Sequence, residues 1–152
     1  MLKETKLIKD FLKKIGAEFV KVRSVNYDTQ CDMDENIIFF NYRDFQDDEF
    51  NKMCKDYYKS IGHKIKIHMG TYAIFHELGH ILSKMEIRNI DKSMNAYVKG
   101  QNELPKKLNA KEKFYRYRNL YIEKLADKYA YVVYQKFEKE AIKFDKQLRK
   151  LR

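Results

Sequence analysis

Gly70-Thr71-Tyr72-Ala73-Ile74-Phe75-His76-Glu77-Leu78-Gly79-His80-Ile81-Leu82-Ser83-Lys84-Met85 is the stretch on which the reading of this chain turns. Its apolar residues recur three and four apart, which predicts a helix over 70–85. Inside it lies HExxH. Helical positions i and i+4 sit one turn apart on one face, so the imidazoles of His76 and His80 can reach a single ion. Glu77 is about 100° further around, close enough to hold an attacking water and take its proton. Catalytic zinc sites use three protein ligands and keep a fourth position for water. By chance the motif arises in roughly one chain in a hundred of this length, so its surroundings have to carry part of the weight.

They do so through the helical wheel. Ile74, Phe75, Leu78, Ile81, Leu82 and Met85 cluster on one side, and His76 and His80 lie opposite. The positions flanking the histidines, Ala73, Gly79 and Ser83, are all small. Glycine inside a helix costs about 1 kcal/mol relative to alanine. Close approach of another element at Gly79 is the expected compensation.

A third ligand is required. Glu123-Lys124-Leu125-Ala126-Asp127-Lys128-Tyr129-Ala130 offers Glu123, with Asp127 four residues on along the same helical face. A carboxylate at Glu123 can bind zinc, and Asp127 can take the second ring N–H of a ligand histidine, fixing its tautomer. Ala126 and Ala130 are small enough to let this helix approach the first. His63 and His68, just upstream of the motif, are the alternative third ligands; as ordinary polar residues of a short strand or loop they need no metal. Cys31 is a remote candidate for an inhibitory thiolate on the zinc. An oxyanion donor can come from Tyr115, Tyr117, Tyr121, Tyr129, Tyr131 or Tyr134, although core packing accounts for them as well.

The remaining chain suggests a small α+β domain spanning residues 1–152. A helix is expected over 3–15, with Gly16 as its stop. Strands are expected over 18–25 and 36–42, paired with each other across a loop at 26–35. Asp47–Ile61 reads as a helix with Phe50, Met53, Cys54, Tyr57, Tyr58 and Ile61 on one face. Residues 86–109 are polar and aperiodic and read as a long loop insertion. Asn109 is placed to cap a last long helix from about Ala110, breaking or fraying near the basic end, Lys146–Arg152.

The chain has 152 residues and a formal net charge of +10, with hydrophobic residues at 44%. That is enough apolar material for one core, and the 14% aromatic content argues against disorder. No apolar run is long enough to span a membrane, and no secretory signal follows Met1. Cys31 and Cys54 form neither a CxxC pair nor a disulfide framework, so a reducing, cytoplasmic setting is expected. The positive charge comes mainly from lysine, which reads first as a solvated surface. The cluster Lys106, Lys107, Lys111, Lys113, Arg116 and Arg118 is the patch best placed to touch nucleic acid or an acidic substrate, with a solvated loop and helix start as the simpler reading.

HELGH followed by Glu-x-x-Ala-Asp-x-aromatic-Ala, with the apolar lead-in Gly70–Phe75, resembles the zincin metallopeptidases of the ImmA/IrrE type. The resemblance spans roughly residues 36–135. It implies a zincin fold: a small sheet, an active-site helix with both histidines, and a following helix that supplies the glutamate. It implies zinc at His76, His80 and Glu123, with Glu77 as general base. Members cleave or inactivate transcriptional repressors of mobile elements, phages among them, or of stress responses. The chain departs from the pattern in the 42 residues between His80 and Glu123, in Tyr129 where phenylalanine is common, and in lacking a helix-turn-helix segment.

The expected activity is therefore zinc-dependent cleavage of a protein substrate, such as a DNA-binding repressor. The rivals are a zincin domain that sequesters its partner without cutting it, and a protease held on nucleic acid by its charge. The strand at 36–42 is expected to hold the substrate along its edge. Residues 86–109, with Lys92, Lys99, Lys106 and Lys107, are expected to contact an acidic substrate surface.

Overall fold

The chain begins as an amphipathic helix, α1 (Lys3–Lys14), because Thr5, Ile8, Phe11 and Leu12 fall on one buried face. Gly16, at φ +84°, lets the chain reverse at its end. The computed structural model describes residues 1–87 and 108–151, together with Lys92, Asn95, Ala96, Val98, Lys99 and Asn102. Among these it contains six α-helices and a three-stranded mixed sheet, an α+β architecture.

The strands are β1 (Lys21–Ser24), β2 (Gln30–Asp32) and β3 (Ile37–Phe40), in the order β1-β3-β2. The two expected strands do pair, but in parallel, with Lys21 beside Ile37 and Ser24 beside Phe40. They run parallel because β2 intervenes within the segment expected to be a loop, antiparallel to β3 with Gln30 opposite Phe39. A tight turn joins β2 to β3: Asp32 Oδ1 accepts from the N–H groups of Asp34 (3.0 Å) and Glu35 (2.9 Å). Asn36 completes it at φ +53°, a conformation asparagine tolerates. β3 is thus the central strand, and Ile37, Ile38 and Phe40 are buried. It has no open edge to offer a substrate chain, which corrects the expectation for residues 36–42. The edges are β1 and β2, and β2 is the one packed beside the helix that carries HExxH.

After a short 3-10 turn (Tyr42–Gln46), α2 (Asp48–Ser60) starts at Asp47, whose carboxylate accepts from Phe50 N–H at 2.9 Å. Its face is narrower than expected: Cys54, Tyr57 and Tyr58 are buried, while Phe50 and Ile61 at the two ends are exposed. Helix α3 (Met69–Ser83) follows, capped by His68, whose Nδ1 accepts from Gly70 N–H at 3.0 Å. It is buried nearly all round and stops at Ser83, which leaves Met85 exposed instead of on the core face.

Asn109 caps α4 (Ala110–Arg118) as expected, accepting from Glu112 N–H at 2.8 Å. The single last helix is instead three. Asn119 and the extended Leu120 separate α4 from α5 (Tyr121–Lys136), and Phe137 separates α5 from α6 (Glu138–Arg149). The basic end does not fray from Lys146: α6 continues to Arg149 with Leu148 wholly buried. The expected loop at 86–109 lies for the most part outside the described residues, and Lys92, Asn95, Ala96, Val98, Lys99 and Asn102 within it have helical backbone. Among the described residues no helix is long and apolar enough to cross a membrane.

The core joins α1, the sheet, α3, α5 and α6. Phe11 stacks on Phe144 at 4.2 Å, and Tyr72 and Phe75 meet Tyr134 edge-on. One buried carboxylate ties α6 to the start of α3. Asp145 accepts from Thr71 Oγ1 (2.6 Å) and His68 N–H (3.2 Å), and pairs with Arg149 at 2.9 Å. Asp145→Ala would leave the first two donors without a partner, at a cost of about 3 kcal/mol. For a chain of this size that corresponds to a fall in Tm of roughly 6–12 °C, which differential scanning fluorimetry would register.

Candidate metal centre

The helix pair with the most extensive contact among the described residues, α3 and α5, builds the site. At Gly79 of α3 an added Cβ would collide with the carbonyl oxygen of Ala126 and lie 3.1 Å from the backbone nitrogen of Ala130, both on α5. Backbone therefore meets backbone, which is the reason for the small residues expected at 79, 126 and 130. The same contact brings His76 and His80 from one helix against Glu123 and Asp127 from the other.

The donor atoms of three residues converge. His76 Nε2 lies 2.9 Å from Glu123 Oε2, His80 Nε2 lies 3.2 Å from Glu123 Oε1, and the two Nε2 atoms are 3.1 Å apart. A tetrahedral ion with bonds of about 2.1 Å separates its ligand atoms by about 3.4 Å, so only a slight expansion is needed. His76, His80 and Glu123 are 7%, 7% and 1% exposed, so the ion would be shielded from bulk water on the protein side. This buried group is able to hold a metal ion, and among the described residues it is the one such cluster.

The supports are equally specific. Asp127 Oδ1 lies 3.0 Å from His76 Nδ1, the contact expected of it, and this leaves Nε2 to face the cluster. Tyr58 donates to the same oxygen at 3.0 Å. Tyr117 donates to Glu123 Oε1 at 2.9 Å, which makes it the tyrosine of the expected set that reaches the centre. Burial alone would raise the Glu123 carboxyl. His76 and His80 outweigh it and hold the group far below the usual carboxylate range. Asp127 is likewise lowered, against burial, by His76, Arg118 and Tyr58.

Glu77, 8% exposed, opens with the cluster onto a cavity of about 850 Å3. That is ample for a short peptide segment. Cys31, on β2, lines the same cavity as Glu77. Burial first, and then the Glu77 carboxylate, push the Cys31 thiol far above its ordinary range. Cys31 lies outside the three-residue cluster.

The alternative third ligands are otherwise engaged. His63 stacks on Tyr131 at 4.0 Å, with Tyr58 parallel to it at 6.0 Å. His68 caps α3 and stacks on Phe45. Tyr131 and Tyr134 accept from the backbone N–H groups of Lys64 and Lys66, structural duties away from an oxyanion.

Arg118 is the residue the sequence reading misplaced. The sequence groups it with a solvated basic cluster, but it is 6% exposed and inserted into the centre. Nη2 donates to Asp127 Oδ1 at 2.7 Å and to the Tyr58 hydroxyl, and Nη1 donates to Glu123 Oε2 at 3.1 Å. Its guanidinium lies over the rings of Tyr57, Tyr58 and Phe114 at 5.3–5.6 Å. The available signal was weak: an arginine five residues before Glu123, next to a helix-breaking Asn119. Comparisons of the chain with family models, with curated proteins and with solved structures find no match.

Proposed function

We propose that this chain is a zinc-dependent endopeptidase with a zincin-like fold of the ImmA/IrrE type, acting on a protein such as a DNA-binding repressor. The observation that carries the reading is the convergence of His76, His80 and Glu123 from two contacting helices, with Glu77 opening on the same cavity. In this reading the three are the zinc ligands. A zinc ion there supplies Lewis acidity toward a scissile carbonyl and lowers the pKa of water toward about 7.

The chain's own residues do the rest. Glu77 takes the proton of the attacking water and delivers it to the departing amide nitrogen. Asp127 holds His76 with Nε2 turned to the metal. The edge of β2, beside α3, takes an extended substrate segment by strand addition, the role expected at first of residues 36–42. A repressor as the target rests on the family resemblance, and the +10 charge needs no nucleic acid to explain it.

The test begins with the metal. The purified protein should carry about one zinc per chain by elemental analysis. His80→Ala should empty the site. Digestion of a protein substrate should stop with chelator and resume with added zinc. Retention of full zinc affinity by Glu123→Ala, with loss in His63→Ala or His68→Ala, would show that the third ligand is misassigned. A zinc-loaded protein that cleaves no partner and no unfolded chain would overturn the peptidase reading.

A further inference from the structure

The guanidinium of Arg118 lies against two of the three atoms that the metal needs. Nη1 is 3.0 Å from His76 Nε2 and 3.1 Å from Glu123 Oε2. These two atoms are themselves 2.9 Å apart. An ion bonded to both at about 2.1 Å is confined to a circle around that edge, and Nη1 to a wider one. The two can then be no more than about 4.2 Å apart. In addition, an imidazole nitrogen has one lone pair, which serves either a hydrogen bond or a metal bond, but not both.

We propose that Arg118 competes with the metal for its own donor set: the guanidinium neutralises Glu123 and Asp127 when no ion is bound and withdraws when one enters. The proposal rests on the reading of His76, His80 and Glu123 as a metal site. Two buried carboxylates facing each other across a histidine call for positive charge; His76 touches both, and Arg118 is the permanently charged side chain among the described residues that pairs with both. Its anchorage is on the far side of His76, through Asp127, Tyr58 and the aromatic rings.

The side chain also has somewhere to go. Arg118 is the last residue of α4, just before the break at Asn119 and Leu120, and it lines the large cavity. Its Nε has no hydrogen-bond partner among the described residues, so one of its donors is left idle in the inserted position. Swinging toward the cavity releases Glu123 to the ion and exposes that donor to water. The consequence is a centre that stays folded without metal but binds it less tightly than the same ligands would alone.

The experiment uses the full chain after chelator treatment, with zinc as the probe. Zinc affinity is measured by competition with a chromophoric chelator for the wild type and Arg118→Gln, and thermal melting is recorded with and without zinc. Arg118→Gln should bind zinc at least about tenfold more tightly, because a competing cation has gone. Its chelator-treated form should melt lower than the wild type, so that the zinc-induced rise in Tm is larger. Equal or weaker zinc affinity in Arg118→Gln overturns the proposal. Should that variant fail to fold, the wild type suffices: the Nε–H resonance of Arg118, assigned through its own side-chain and backbone correlations, should exchange slowly before zinc and fast after it. A resonance unchanged on stoichiometric zinc binding also overturns the proposal. If the folded wild type takes up no zinc at all, the metal reading itself has failed, and that is seen before any variant is made.

Discussion

Gly79→Ala should lower Tm by about 10 °C and weaken metal binding at the same time. Alanine is the better helix former by about 1 kcal/mol, so on an isolated helix the change would stabilise. Here the new methyl would collide with the Ala126 carbonyl oxygen and meet the Ala126 carbonyl carbon at 3.0 Å and the Ala130 nitrogen at 3.1 Å. All three are backbone atoms, so no rotamer change relieves the clash, and α3 and α5 have to move apart. Overpacking of this kind costs 1–3 kcal/mol and more where nothing flexible can give, so about 4 kcal/mol is a fair figure. The net loss of about 3 kcal/mol gives the stated shift in Tm. The same separation pulls Glu123 away from His76 and His80, so zinc affinity should fall at least about tenfold. Calorimetry and a zinc titration check the two effects. A variant that melts like the wild type and keeps its zinc would show that this helix contact is not what holds the centre together.

Glu77→Gln should separate chemistry from binding. The amide keeps the size and polarity of the carboxylate but cannot take up a proton. Fold and zinc content should be unchanged, while peptide hydrolysis falls at least about a hundredfold, the usual scale for a lost general base. The readout is turnover of a protein substrate by the zinc-loaded variant. If the variant retains the full cellular effect of the protein, the domain acts by sequestering its partner, and the proteolytic mechanism is wrong.

Both expectations rest on features that were legible in the sequence for a simple reason. His76, His80, Glu123 and Asp127 are two i,i+4 pairs, and helical geometry alone puts the members of each pair on one face. Gly79, Ala126 and Ala130 announced a close helix contact because small residues inside helices carry a local cost or forgo burial. What stayed hidden depends on partners distant in sequence. β2 is three residues long, Gln30-Cys31-Asp32, with no β-branched residue and no alternation to mark it; only pairing with β3 makes it a strand. Missing it also hid the parallel register of β1 and β3. The breaks at Asn119–Leu120 and Phe137 sit inside a continuous helical pattern; the pairing of Arg118 with Glu123 and Asp127 accompanies the first, and packing of α6 on α1 the second. Arg118 looked like one more surface cation because nothing local records Asp127 and Tyr58 waiting across the fold.

The contact between α3 and α5 closes a long chain loop, and this bears on how freely the intervening segment can vary. Closure entropy rises only with the logarithm of loop length, about 0.6 kcal/mol for each doubling. The 42 residues between His80 and Glu123 therefore cost little more than half that number would. The four-residue arrangement is fixed by the helix pair and is nearly indifferent to the length that joins it, while Tyr117 and Arg118 reach it from the joining segment itself. A chain with a much shorter connection can build the same four-residue arrangement, and evolution is free to lengthen this stretch while the ligands stay where they are.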